Sequence, residues 1–506
     1  MTFSPKLSSG FTFARNRSSF LSPQSGMCSF CTEDCPGTCE IAQAAVLGAR
    51  TVYPTTTGSN QIASEKDYPI DYSHFNINGR VFGAQGAAPT PEAATIFNVQ
   101  LEQVYGFDHP VKLALPFVLP ALIKLNWQDY FSGAALAGVT CFIGEGAIHN
   151  DKQAVFHDGQ IIESPLIQES VDCFNRYYRG YGQIVLQSNL EDDRMGVPEL
   201  AIQKYGVEAI EIKFGQGAKG TQPAVLIKNY SEALKKQEMG FLIHPDPSQP
   251  EMHDKYKEGL CPNFYSYGRL PQWTESSISQ RIQALRDMGA KNIYFKMAGY
   301  DPDDIERLLR IASVERVDMI TFDGAGGGSG YSPSKMMNEW CLPTICLEDA
   351  VVRISKHLQA EGLSLPALTI TGGFASEDQA FKALAYGNGH IHAVGYCRAA
   401  MAAAMTGKTI GQQIKSGQIP SMFEKYGASI EEIFTDLADL RALYGKEANN
   451  FPTGAIGVFS YLNKLAFGVQ HFGALNRKFD LGLFGQEDLI PLTSDARDLL
   501  NNRWFL

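Results

Sequence analysis

The chain has 506 residues, with 43 Lys and Arg against 54 Asp and Glu for a formal charge of −11, and 44% of it is hydrophobic. An acidic balance without a Lys/Arg run excludes a nucleic-acid surface, which needs clustered positive charge. The most apolar stretch, Lys112 to Trp127, is broken by Pro116, Pro120 and Lys124 and falls short of the roughly 20 apolar residues of a membrane span. The first residues, with Lys6, Arg15 and Arg17 among Ser and Phe, lack the apolar core of a secretory leader. A cytoplasmic location is expected, with a transit peptide as the alternative.

Residues 1–110 open the chain. Four of the ten cysteines fall between Cys28 and Cys39, and turn-rich runs such as YPTTTGSN and FNINGRVFGAQGAAPTPEAA follow without periodicity. These features predict an irregular N-terminal Cys-cluster domain that packs on something larger, since such segments bury too little apolar surface alone. The spacing Cys28-x2-Cys31-x3-Cys35-x3-Cys39 brings four thiolates close enough to ligate an Fe–S cluster (4Fe-4S) or one structural zinc. Unligated thiols are the third reading. The remaining cysteines, Cys141, Cys173, Cys261, Cys341, Cys346 and Cys397, are scattered singly and are expected to be buried.

From 111 to 406 short apolar runs alternate with helical periods. Strands are predicted at 115–119, 139–143, 183–186, 209–214, 241–244, 292–297, 318–322, 367–371 and 391–395, with amphipathic helices at 277–288 and 303–312 among the connections. Apolar strands alternating with helices indicate a parallel sheet covered on both faces. A span of this length favours an α/β fold of the (β/α)8 TIM-barrel kind, with one strand candidate to spare. The stretch 407–506 reads as a helical C-terminal extension layered on the barrel.

Polar, glycine-rich turns follow most of these strands, and in a barrel they converge on the face where active sites form. Thr371-Gly372-Gly373 and Gly395-Tyr396-Cys397-Arg398 sit where the last two loops of a barrel receive a phosphate, with Arg398 to complete the charge; plain tight turns are the alternative. The run Asp323 to Gly330, with Gly324, Gly327 and Gly328, admits close approach of a flat ligand or is a mobile loop. Lys213 and Lys296 interrupt apolar strands. A lysine inside a barrel suits a flavin, whose N1 and O2 gather negative charge on reduction, unless it snorkels or pairs with a carboxylate such as Glu211 or Glu145.

The stretch 115–404 resembles the FMN-binding synthase domain of the glutamate synthase family, most closely its short stand-alone archaeal and anaerobe forms. The motifs are GEGA at Gly144, EIKFGQGAKG at Glu211, DGAGGGSGYSP at Asp323, ITGG at Ile370 and HAVGYCRA at His392. The resemblance implies an FMN-dependent oxidoreductase that reduces the imine of 2-oxoglutarate and ammonia to L-glutamate. It implies Gly144, Lys213, Gln216, Lys296, Asp323, Gly324, Gly327, Gly328, Gly372, Gly373, Gly395, Tyr396 and Arg398 around the FMN. Glu145, Lys219 and Lys296 are implied as the catalytic set, Glu145 and Lys219 lining the pocket of a small anionic 2-oxo acid.

The chain departs from that family in three places. Met1-Thr2-Phe3 offers no N-terminal Cys nucleophile, so ammonia is expected from solution or an amidotransferase subunit. Gly220-Thr221-Gln222-Pro223-Ala224 replaces a longer family segment, which leaves room for a different small oxo or unsaturated acid. The region after the last barrel strand has no cysteine beyond Cys397, so Cys28 to Cys39 are expected to take electrons from ferredoxin or a reductase subunit. A non-catalytic, metal-stapled scaffold subunit is the reading from another class. A homo-oligomer is a further expectation, and neither nucleic-acid nor membrane partners are expected.

Overall fold

The computed structural model describes residues 68–123, 125–215, 225–327, 340–421 and 423–501. Eight parallel strands close a barrel in chain order: β1 (Phe117–Leu122), β2 (Thr140–Ile143), β3 (Ile184–Ser188), β4 (Ala209–Lys213), β5 (Asn292–Ala298), β6 (Met319–Asp323), β7 (Ala367–Thr371) and β8 (Ile391–Gly395). β8 pairs back onto β1 through Val394 opposite Phe117. Most of these strands are buried along their whole length, because one face packs the barrel interior and the other the helices.

The spare strand candidate forms outside the barrel. Leu242–His244 pairs antiparallel with Phe264–Tyr267, which pairs in turn with Val225–Ile227, in a three-stranded sheet inserted between β4 and β5.

The helices follow their sequence signals. α1 (Trp127–Ala137) is almost wholly buried. α2 (Glu275–Asp287), capped by Thr274, buries Ile278, Ile282 and Leu285, and α3 (Pro302–Val314), capped by Asp301, buries Ile305, Leu308, Leu309 and Ala312. Each of these Ile and Leu side chains contributes roughly 1.5–3 kcal/mol. Next come α4 (Thr344–Ala360), α5 (Glu377–Gly387), α6 (Arg398–Lys415) and α7 (Thr453–Leu475).

The C-terminal helix α7 lies across α6, α1 and α5. Its contact with α6 depends on small residues: a side chain on Gly407 would strike Thr453 and Gly457, and one on Gly457 would strike Ala403 and Gly407. The stretch AAMAAAMTG is therefore a helix face that lets two backbones approach closely. α6 runs unbroken through position 407.

The barrel floor is apolar. Val118, Phe142, Val185, Ala209, Tyr294, Met319, Ala367 and Ala393, one from each strand, form an inner cluster with Tyr105, Val111 and Leu113. Those three belong to an antiparallel hairpin, Gln103–Tyr105 with Val111–Leu113, which plugs the N-terminal end of the barrel. Farther back, Phe75–Ile77 pairs with Leu489–Pro491 and ties the two ends of the described chain together. Of the six scattered cysteines, Cys141, Cys261 and Cys346 are buried, whereas Cys173, Cys341 and Cys397 are partly exposed, which corrects the expectation of six core thiols. No helix among the described residues is long and apolar enough to cross a membrane.

Candidate active site

The alternation along β4 and β5 turns Lys213 and Lys296 inward, two residues above Glu211 and Tyr294 and in register with each other. Both are buried, with 4% and 5% exposure. Ammonium groups so far from water need partners. Lys213 Nζ donates to Glu145 Oε1 at 2.7 Å, and Lys296 Nζ lies 3.5 Å from Asp323 Oδ2. Of the two carboxylates weighed for Lys213, Glu145 forms the bond; Glu211 instead accepts from Gln187 Nε2. Burial pulls the Lys296 ammonium down, but Asp323 and Glu211 outweigh it and hold the group above its ordinary value.

Glycines line the mouth above the lysines. Gly372 has φ +125°, a conformation side chains rarely adopt, and a Cβ there would meet Thr344 Oγ1 at 2.7 Å. A Cβ on Gly395 would meet Thr371 and Pro120, and one on Gly324 would collide with Thr344. The Gly324 amide donates to the Thr371 carbonyl at 2.9 Å, and Thr344 Oγ1 donates to the Gly372 carbonyl at 2.8 Å, so the loops after β6 and β7 are locked together. Arg398 starts α6 beside them. Burial lowers its guanidinium, while Cys397 and Asp323 raise it.

The loop carrying Glu145 is held from beneath. Asp192, 2% exposed, accepts from the Gly146 amide at 2.9 Å through Oδ2. Its Oδ1 has no partner among the described residues. Burial pushes this carboxyl up to about 7, against the pull of the Gly146 amide. Neighbouring acids on the same short helix tie down other parts: Glu191 takes Arg269 at 2.6 Å, and Asp193 takes Arg281. Glu211 is likewise pushed up to about 7 by burial, despite Lys296, Gln187 and Lys213.

A closed parallel barrel with buried cations and bare glycine turns at one mouth prompts comparison with known proteins. Residues 272–408 match the family model of the conserved region in glutamate synthase. The matched stretch spans the last four barrel strands, β5 to β8. No curated protein matches the chain. Among solved structures, flavocytochrome b2 with sulfite bound aligns with TM-score 0.48 at 12% identity, covering 92% of this chain and 86% of that one. The recombinant flavin-binding domain of baker's yeast flavocytochrome b2 gives 0.46 at 13% over 86% and 82%. An oxidised (S)-mandelate dehydrogenase gives 0.43 at 12% over 83% and 88%.

The matched region contributes Lys296, Asp323, Gly324, Gly327, Gly372, Gly373, Gly395 and Arg398 to the mouth, and Gly144, Glu145 and Lys213 join it from earlier strands. Tyr396 follows the others only through its backbone; its hydroxyl donates to the Ser376 carbonyl at 3.1 Å and its ring packs on Phe117 in the helix layer. Gln216, Lys219, Gly328 and the four cysteines Cys28, Cys31, Cys35 and Cys39 lie outside the described residues. Among the described residues, no group of three or more His, Cys, Asp or Glu side chains is arranged to hold a metal ion. Sequence reading passed over Asp192, because LEDDR looks like a solvated helix start. It also treated Cys397 as a core thiol, although its place between Gly395 and Arg398 puts it at the mouth.

Proposed function

We propose that the barrel binds FMN at its C-terminal mouth and reduces the imine formed from 2-oxoglutarate and ammonia, giving L-glutamate. The observation that carries this reading is the pair of buried lysines in register on adjacent strands beneath a rim of glycines. The residues present suit FMN. Gly324, Gly372 and Gly395 leave the rim free of side chains, and Arg398 at the start of α6 offers positive charge to a phosphate. The Thr321 hydroxyl and the Gln187 carbonyl, buried in the interior without partners among the described residues, add polar capacity below.

When bound, FMN supplies hydride transfer. The chain's own residues do the rest. Lys213 and Lys296 favour the negative charge that reduction places on the ring system, in a site where low dielectric strengthens their effect. Lys219 holds a substrate carboxylate, and Glu145, fixed by Lys213 on one side and by Asp192 through the Gly146 amide on the other, exchanges a proton with the substrate. Ammonia comes from solution or an amidotransferase partner, and ferredoxin or a reductase subunit is the proposed electron donor. We also propose a 4Fe-4S cluster on Cys28, Cys31, Cys35 and Cys39, with zinc as the alternative; iron, sulfide and zinc analysis of anaerobically purified protein separates them.

A second reading keeps FMN and changes the acid, and the shortened segment Gly220 to Ala224 favours it. The test is FMN uptake by the purified chain followed by anaerobic reduction and mixing with acids and ammonium. Reoxidation that needs both 2-oxoglutarate and ammonium supports the first reading. Reoxidation by another oxo or unsaturated acid supports the second, and a chain that takes up no FMN overturns both.

A further inference from the structure

The barrel interior holds one more charged group than this chemistry uses. Glu211 lies on β4, two residues below Lys213 on the same inward face, opposite Gln187 of β3 and Tyr294 of β5. It is 1% exposed. Gln187 Nε2 donates to its Oε2, while the Gln187 carbonyl has no partner among the described residues. The ionisable groups acting on Glu211 come from every side: Lys213 on its own strand, Lys296 and Tyr294 from β5, and Glu145 from the loop after β2. Asp323 of β6 stands beyond Lys296.

Neither lysine depends on Glu211 for a partner, since Lys213 has Glu145 and Lys296 has Asp323. An extra carboxylate at this depth gives up its hydration, so stability does not explain it. Its position does: it lies one inward position below Lys213, on the strand beside Lys296, and its charge acts on both ammonium groups.

Resting on the FMN reading above, we propose that Glu211 is a positioning residue whose charge sets, from below, the positive field that Lys213 and Lys296 present at the mouth, and so sets the reduction potential of flavin held there. Burial pushes the Glu211 carboxyl up to about 7. It is therefore ionised well above that pH, where it opposes reduction, and neutral well below it, where it does not.

The test is potentiometric titration of the FMN-loaded protein with redox mediators, comparing wild type, Glu211→Gln and Glu211→Asp at about pH 5.5 and about pH 8.5. At the higher pH, Glu211→Gln is expected to raise the ratio of reduced to oxidised flavin at a fixed poise roughly tenfold. At the lower pH it is expected to match wild type, because both side chains are then neutral. Glu211→Asp, which keeps the charge, is expected to keep the wild-type pattern. Should Glu211→Gln not fold, Gln187→Met, which withdraws the hydrogen bond favouring ionised Glu211, is expected to shift the ratio the same way by less. Equal potentials for wild type and Glu211→Gln at both pH values, with FMN bound in each, overturn the proposal. Failure of the wild-type protein to take up FMN instead overturns the flavin reading and this inference with it.

Discussion

The two ends of the barrel interior are built from the same eight strands and the same inward alternation, yet they differ in chemistry. At the N-terminal end, apolar side chains and Tyr294 meet a hairpin plug, and the tyrosine hydroxyls there are satisfied within the protein: Tyr294 donates to Gln183 at 2.6 Å and shares a hydrogen bond with Tyr105 at 2.9 Å. At the C-terminal end, Lys213, Lys296, Glu145, Asp323 and Glu211 are buried beneath glycines. A fold in need of stability alone would build both ends like the first, because apolar packing avoids the desolvation cost of charge. The contrast marks one end as structural and the other as a place for a ligand.

That contrast can be broken by substitution, and the largest effects are expected at the mouth. Lys296→Met is expected to lower turnover about 100- to 1000-fold, as loss of a charge-stabilising donor does, and to destabilise the fold by roughly 3 kcal/mol by removing the ammonium that faces Asp323. Adding Asp323→Asn should restore the melting temperature but not turnover; recovery of both would place these charges in the structural class. Gly372→Ala comes next. It meets both a left-handed backbone and Thr344, and it should weaken FMN binding at least tenfold by fluorescence titration, with a smaller loss of stability.

At the floor the expectation reverses. Tyr294→Phe removes two buried hydrogen bonds and should cost roughly 1–3 kcal/mol in urea unfolding while leaving kcat and KM within about twofold of wild type. The last expectation concerns pH. Burial raises the Asp192 carboxyl from its ordinary 3.8 to about 7, so the folded state binds the extra proton between these values. Stability is therefore expected to fall as pH rises from about 4 toward about 7 and then level off, and Asp192→Asn should lessen that decline in melting temperature, leaving the share due to Glu211. An unchanged slope would remove Asp192 from the buried set.

Much of this was legible in the residues. Strand periods and glycine turns located all eight barrel strands, and a lysine inside an apolar strand signalled buried charge before any partner was known. What periodicity does not carry is pairing. The run at 241–244 reads as a strand whether it joins the barrel or, as it does, a separate antiparallel sheet. The plug hairpin escaped notice because Gln103–Tyr105 and Val111–Leu113 are too short for a period to show. Asp192 was missed for a related reason: in LEDDR three acids in a row look alike, and only the fold sends Glu191 to Arg269, Asp192 to Gly146 and Asp193 to Arg281.

The most direct test of the central claim is a rapid-mixing experiment on anaerobically reduced, FMN-loaded protein, following flavin absorbance and glutamate together. The account predicts reoxidation only when 2-oxoglutarate and ammonium are both present, with one glutamate formed per flavin reoxidised. Flavin that binds and is reduced but returns no electrons to the pair, or returns them without forming glutamate, would contradict it.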